Sequence, residues 1–308
     1  MIFILLILSG VSISIGVGDL NFFTNNKEAW DLFFVSRWPR TAAIILTGSS
    51  ITICGVIMQL LVRNRFVEPS TTGTTEASMI GLLIVAVWFP DWSILGKMSI
   101  AACCSLIGLL TFLQLTRHLP REQPLLIPLV GLIYGGVLGS VATYFAFQTD
   151  LLLYLSVWLT GEFSGVIAGR YELLWIAGGF ALFSYLVADQ FTIAGLGKRA
   201  SQSLGLNYQF IVAIGVGTVA ITSSLVVVTV GVLPFIGLVV PNIVSRLMGD
   251  NLRKSLPLVA GYGAIFTLVS DIIGRTISYP YEIPAGTIFG VIGAVIFLWL
   301  IFGRRSHV

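Results

Sequence analysis

"VGVLPFIGLVVPNIVSR" (residues 230–246) straddles the end of a run of 46 residues, 200–245, that contains no Asp, Glu, Lys or Arg. As one continuous helix that run would extend about 69 Å at 1.5 Å per residue, more than twice a hydrocarbon core of about 30 Å. It must fold back, and Gly231, Pro234, Gly237 and Pro241 mark the place. Irregular backbone at membrane depth is tolerated only where protein buries its polar groups or a water-filled cavity solvates them. The break is therefore a fold-back first, with the wall of a pathway as the sharper second reading.

Composition places the rest of the chain in the same solvent. Of 308 residues 56% are hydrophobic and 10% charged, far from the roughly 25% charge of soluble domains. The predicted fold class is all-α, a polytopic membrane protein. Apolar segments fall at 1–17, 41–62, 77–89, 98–116, 125–147, 173–188, 208–229, 256–273 and 286–302, and the broken segment after Gly231 supplies one short extra crossing. The expected total is about ten transmembrane helices in a single transmembrane domain, 1–308. The first segment lacks a basic leader and a small-residue cleavage site, so it reads as a retained helix.

With the first helix starting on the inside, the outer loops keep only Lys27, Arg37, Arg40, Lys97, Arg170 and Arg275 of the 17 basic residues. The others, including Arg63, Arg65, Arg121, Lys198, Arg304 and Arg305, fall on the cytoplasmic side, which satisfies the positive-inside rule. Both termini are expected in the cytoplasm, at the inner membrane. A net charge of +3, with its basic residues in membrane-flanking loops, argues against nucleic acid as a partner.

Chemistry on this chain is not expected. There is no GxxxxGK[ST] loop to hold phosphates and no HExxH pair, and the only histidines are His118 and His307. Cys54, Cys103 and Cys104 fall in predicted spans without metal-site or disulfide spacing, and read as small apolar core residues. Glycines recur inside the spans, as in "GLIYGGVLGS" (131–140) and "AIGVGTVA" (213–220), where they let backbones approach. An ion-coupled secondary transporter would need ionisable residues in mid-span, yet Glu76, Asp271 and Glu282 fall near span ends. A membrane-embedded enzyme lacks a nucleophile or metal constellation.

Several blocks carry a resemblance. "GVLPFIGLVVPNIVSRLMGDNLRKSLPLVAGYGAIFTLVSDIIGR" (231–275) and "EIPAGTIFGVIGAVIFLWLI" (282–301) resemble the C-terminal signature of the iron-siderophore, haem and cobalamin permeases, the membrane subunits of type II ABC importers. "SRWPRTAAIILTGSSITICGVIMQLLVRNRFVEPSTTG" (36–73) is similar to their Arg-x-Pro-Arg start of the second helix, with Gln59, Asn64, Glu68 and Pro69 downstream. "VWLTGEFSG" (157–165) resembles their Trp-x-x-Gly element and "GLGKRASQSLGLN" (195–207) their cytoplasmic loop between helices six and seven. The chain departs from many relatives at Asn242, where they read His, and at Arg65 and Phe66, where they read Pro-Leu. These variants are similar to the catecholate and petrobactin branch, which favours a ferric siderophore over haem or cobalamin.

The resemblance implies the type II ABC importer permease fold and a set of partners. These are a second permease, identical or paralogous, two ATPase subunits that bind ATP and Mg, and a periplasmic or lipid-anchored binding protein that delivers the ferric siderophore. The chain itself binds no cofactor or metal. It also implies roles. Arg37, Arg40 and Arg275 emerge together on the outer face and receive glutamates of the binding protein. Gly197, Lys198, Ala200, Leu204 and Gly205 form a short cytoplasmic helix that takes up ATPase closure. Asn64 and Phe66 form a cytoplasmic gate, with Trp158, Gly161 and Asn242 along the path.

Each role has a plainer alternative in the residues themselves. The arginines can be snorkelling interface anchors, and residues 194–207 a solvated connector. Asn64 can cap its loop and Phe66 pack in the core. Asp271 and Arg275, four apart, can be an intrahelical pair. Glu162, a carboxylate where relatives often carry a neutral residue, has no assigned role.

Overall fold

The computed structural model describes residues 1–16, 26–119, 125–249 and 251–302. Val17, Asp19, Arg121, Arg304, Arg305 and His307 lie outside the described residues. Among the described residues there is no strand.

The helices run in the order α1 (Ile2–Ser14), α2 (Asn26–Leu32), a π-turn (Phe33–Arg37), α3 (Trp38–Val62), α4 (Thr74–Trp88), α5 (Ile94–Thr116), α6 (Leu126–Gln148) and α7 (Leu152–Leu159). They continue with α8 (Leu174–Leu186), α9 (Ala188–Gly195), α10 (Lys198–Ser203), α11 (Tyr208–Thr229), α12 (Ile236–Met248), α13 (Leu252–Ile277) and α14 (Ala285–Phe302). Five stretches are long and apolar enough to cross a membrane: the one ending in α3, then α5, α6, α11 and α13. The α8–α9 pair makes a sixth if it counts as one span, and α1, α4, α12 and α14 are shorter apolar helices. Together they account for the ten segments expected from the sequence.

The span expected at 173–188 is α8, and at its end the chain bends by 68° at Val187 into α9, a helix the sequence reading did not set apart.

α3 is the axis of the bundle, with 16 of its 25 residues buried. It crosses α13 where small residues meet. A Cβ on Gly48 would touch the Gly263 backbone, and one on Gly263 would reach the Gly48 carbonyl and Thr52. Thr52 Oγ1 returns its proton to Gly48 O at 2.8 Å, so the polar side chain is satisfied inside its own helix. Without a hydrophobic force between helices in lipid, such backbone approach supplies the dispersion contact that holds them. Cys54 is buried here as expected, but Cys103 is exposed on α5, so the reading of all three cysteines as core fails for that one.

The break after α11 is resolved by backbone pairing. Val232 N–H donates to Trp158 O at 3.0 Å and Glu162 N–H to Val230 O at 2.9 Å, so the chain at 230–232 lies along residues 158–162. Gly286 N–H in turn donates to Gly161 O at 2.7 Å. Gly161 has no room for a Cβ, which would strike Val232 O and Leu233. Three interruptions of helix thus satisfy one another, which answers how irregular backbone survives at this depth.

Candidate translocation and coupling site

The start of α12 is held by α3 and the loop after it. Phe235 is the N-cap of α12 at φ 65°, left-handed backbone that a bulky side chain seldom adopts. Its N–H donates to Glu68 Oε1 at 2.8 Å, and Ser70 Oγ donates to the same oxygen at 2.6 Å. Glu68, 1% exposed, is therefore the cap of a helix whose N-cap residue stands 167 positions later in the chain. Pro241, inside α12, has no N–H for the carbonyl four residues back. That carbonyl, Gly237 O, accepts from Gln59 Nε2 at 3.4 Å, and a Cβ on Gly55 would collide with the same backbone. Asn242 completes the set, donating from Nδ2 to Arg65 O and to Leu238 O, both at 2.7 Å.

Asn64 and Phe66 lie where α3 ends. Arg63 caps the helix in the left-handed region at φ 55°, and Asn64 N–H returns to Gln59 O at 2.9 Å. Asn64 Oδ1 accepts from Phe66 N–H at 2.8 Å, the loop-capping bond allowed by the sequence. The Phe66 ring meets Phe297 of α14 edge-on at 6.0 Å. A cavity of about 300 Å³ opens beside this turn, lined by Gln59, Arg63, Asn64, Leu196, Pro241 and Ser245 among others.

A short helix, α10, forms next to it where the sequence allows about two helical turns. α9 ends at Gly195, Gly197 caps α10 at φ 100°, and Gly205 stands in left-handed backbone at φ 77°. Gly205 N–H to Gln202 O at 3.0 Å and Leu206 N–H to Ser201 O at 2.9 Å close the helix in the manner of a Schellman turn. Ser201 is buried and donates to Ile193 O at 2.9 Å, which pins α10 to α9. Leu204, in contrast, is 63% exposed. The Arg63 guanidinium contacts Gly197, so the start of α10 touches the end of α3. Lys198 and Ala200 lie in the first turns of α10, Ala200 half-buried.

At the opposite end, Trp158 belongs to α7, a helix not anticipated as separate. It is buried with its ring 4.4 Å from Tyr154. It lines a cavity of about 380 Å³ with Glu162, Lys97 and Arg170, so Glu162 shares its surroundings with two cations.

The three arginines do come together, but not as a free surface. Arg37 and Arg275 are 7% and 3% exposed. Arg275 pairs with Asp271 at 2.8 Å and donates to Ser12 Oγ, Ser12 O and Ile15 O at 2.8, 3.0 and 2.9 Å. Arg37 donates to the same Ile15 carbonyl. Arg40 bridges Asp271 at 2.8 Å and Glu282 at 2.9 Å, with 14% of its side chain exposed. Within this chain Asp271, Glu282 and the end of α1 engage most of the guanidinium donors, while Nε of Arg40 and Nε of Arg275 are buried without a hydrogen-bond partner. Asp271 and Arg275 are the intrahelical pair that their spacing allows, shared with a third partner.

The described residues thus form a bundle of about ten apolar helical segments around a break in which interrupted helices pair through their backbones. The chain matches the FecCD transport family over residues 1–303 and belongs to it. It is 44% identical over 310 residues to the petrobactin import system permease protein YclN of Bacillus subtilis strain 168, covering 99% of this chain and 98% of that one. It is 39% identical to the ferric-anguibactin transport system permease protein FatD of Vibrio anguillarum, covering 92% and 90%. Its fold superposes on a chain of a metal-chelate type ABC transporter in an inward-facing conformation with TM-score 0.81 at 20% identity, over 98% of this chain and 97% of that one. The chain is thus a multi-pass membrane permease subunit of the ABC importer kind.

Proposed function

We propose that this permease carries a ferric siderophore inward across the cytoplasmic membrane, with both termini in the cytoplasm. ATP hydrolysis takes place on two separate subunits that hold ATP and Mg, and an external binding protein delivers cargo to this chain and a second permease. The observation that carries the cargo class is that the two relatives, similar along nearly their whole length, are named for petrobactin import and for ferric-anguibactin transport. The chain acts as one transmembrane unit.

Within this reading α10 receives the ATPase, because Leu204 is exposed while Ser201 anchors the helix from beneath. Arg63 against Gly197 passes its movement to the end of α3, where Asn64 and Phe66 close the path. Trp158 and Gly161 belong to the far mouth and Asn242 to the wall. Of the arginines, Arg40 is the one with an accessible side chain, so a glutamate of the binding protein competes with Glu282 for it. Arg37 and Arg275 hold that corner in place.

The test is transport by the assembled complex in proteoliposomes, with radio-iron chelated by a catecholate siderophore, a hydroxamate, citrate or haem. ATP-dependent uptake of the catecholate chelate is expected. Uptake without ATP, or of haem alone, would overturn the reading.

A further inference from the structure

Three aromatic rings from three separate elements meet at one point near the inner end of the bundle. Phe297 of α14 receives Phe66 at 6.0 Å, edge-on with 73° between planes, and Phe235 at 6.1 Å with 32° between planes. Such centroid separations are those of interacting aromatic pairs. Space for the second contact is made by Gly293, one turn before Phe297, where a Cβ would come within 2.6 Å of Phe235 Cβ. All three rings are only partly buried, so the cluster borders open space instead of lying in the core.

The two donor elements are not free to follow α14. Phe235 is held by Glu68 on its N–H, in backbone at φ 65° that costs on the order of 1–3 kcal/mol for a bulky residue. Phe66 is held by Asn64 Oδ1 on its own N–H, and Arg65 O by Asn242. Loop 63–68 and the first turns of α12 are therefore tied at two points, Glu68 to Phe235 and Asn242 to Arg65. Together they present two rings to one ring of α14. The strained residue is the one that aims its ring at the neighbouring helix.

We infer that Phe297 is the receiving half of the inner closure. The loop after α3 and the start of α12 form one body that latches α14 through Phe66 and Phe235, and the path opens when Phe297 leaves them. Phe297 is a positioning residue for transport, and Phe235 keeps its left-handed backbone to serve the latch. This rests on the reading of Phe66 as the gate, and the test separates the two.

In the assembled transporter without cargo, Phe66→Ala and Phe297→Ala should each raise basal ATPase activity several-fold. The double variant should rise no further than the larger single, since one contact is removed twice. Phe145→Ala, on the exposed face of α6, should change nothing. If Phe66→Ala raises activity and Phe297→Ala does not, or if the two effects add, the latch is wrong and the gate stands. Where neither changes, the gate reading falls with it. A second measurement holds if Phe297→Ala fails to reach the membrane. Phe66→Cys with Phe297→Cys, in a background without Cys54, Cys103 and Cys104, should be joined by a short bifunctional methanethiosulfonate, and uptake should stop until a reductant is added. Failure to join, or full uptake while joined, overturns the proposal.

Discussion

Asp271 and Arg275, one turn apart on α13, form an ion pair at 2.8 Å with side-chain exposures of 2% and 3%. A surface pair at this spacing contributes a few tenths of a kcal/mol. This one is out of water and has Arg40 on its other carboxylate oxygen, so losing Asp271 leaves two guanidinium groups short of a partner.

Removing one member of a buried pair costs on the order of 3–5 kcal/mol. Asp271→Ala should therefore lower the unfolding temperature of the purified permease in detergent and reduce its abundance in the membrane, before any question of docking arises. Glu282→Gln, at the exposed side of Arg40, should leave abundance near wild type. An Asp271→Ala protein with unchanged thermal unfolding would mean that the network is solvated and does not hold the corner.

Glu68 separates a cap from a charge. Glu68→Ala leaves the Phe235 N–H and the Ser70 hydroxyl without their acceptor, at about 1–3 kcal/mol for each buried group. Glu68→Gln keeps an amide oxygen for both donors. Hydrogen exchange at the first turn of α12 should accelerate strongly in the alanine variant and little in the glutamine one. Equal protection in all three proteins would show that α12 does not depend on this side chain.

Close crossings should reject a methyl group where the backbone is the obstacle. Gly55→Ala meets the Gly237 backbone and Gly161→Ala meets Val232 O, so each should reduce folded yield sharply. Gly217→Ala on α11 has nothing within 4 Å and should be tolerated. Yield after gel filtration in detergent decides it, and tolerance at Gly55 would place α3 and α12 further apart than described.

What was legible in the sequence was whatever is local. α11 begins at Tyr208 and ends at Thr229 as expected, because Asn207 caps its start and Gly231 breaks the apolar run just after its end. The α8–α9 bend was not, since Val187 and Ala188 include neither Gly nor Pro. Long-range partners were also hidden. Arg40 finds Asp271 and Glu282 at separations of 231 and 242 residues, so arginines that look available in sequence are already engaged. Glu68 was visible as part of a resemblance, but its task depends on Phe235, which only folding brings near.

Leu204 offers the sharpest test of coupling. α10 is pinned from below by Ser201 and begins on Gly197 against Arg63, while Leu204 projects with 63% of its surface exposed. An apolar side chain so exposed on a membrane-flanking helix suits burial against a partner protein. Leu204→Asp should disturb nothing inside the chain and so leave membrane abundance and thermal unfolding unchanged. It should nonetheless weaken capture of the ATPase subunits and cut ATP-driven uptake about tenfold or more, since an unpaired charge would be buried on assembly. Ser201→Ala, by contrast, should loosen α10 and lower stability without an exposed change. If Leu204→Asp binds the ATPase and transports at the wild-type rate, α10 is a solvated connector and coupling enters elsewhere.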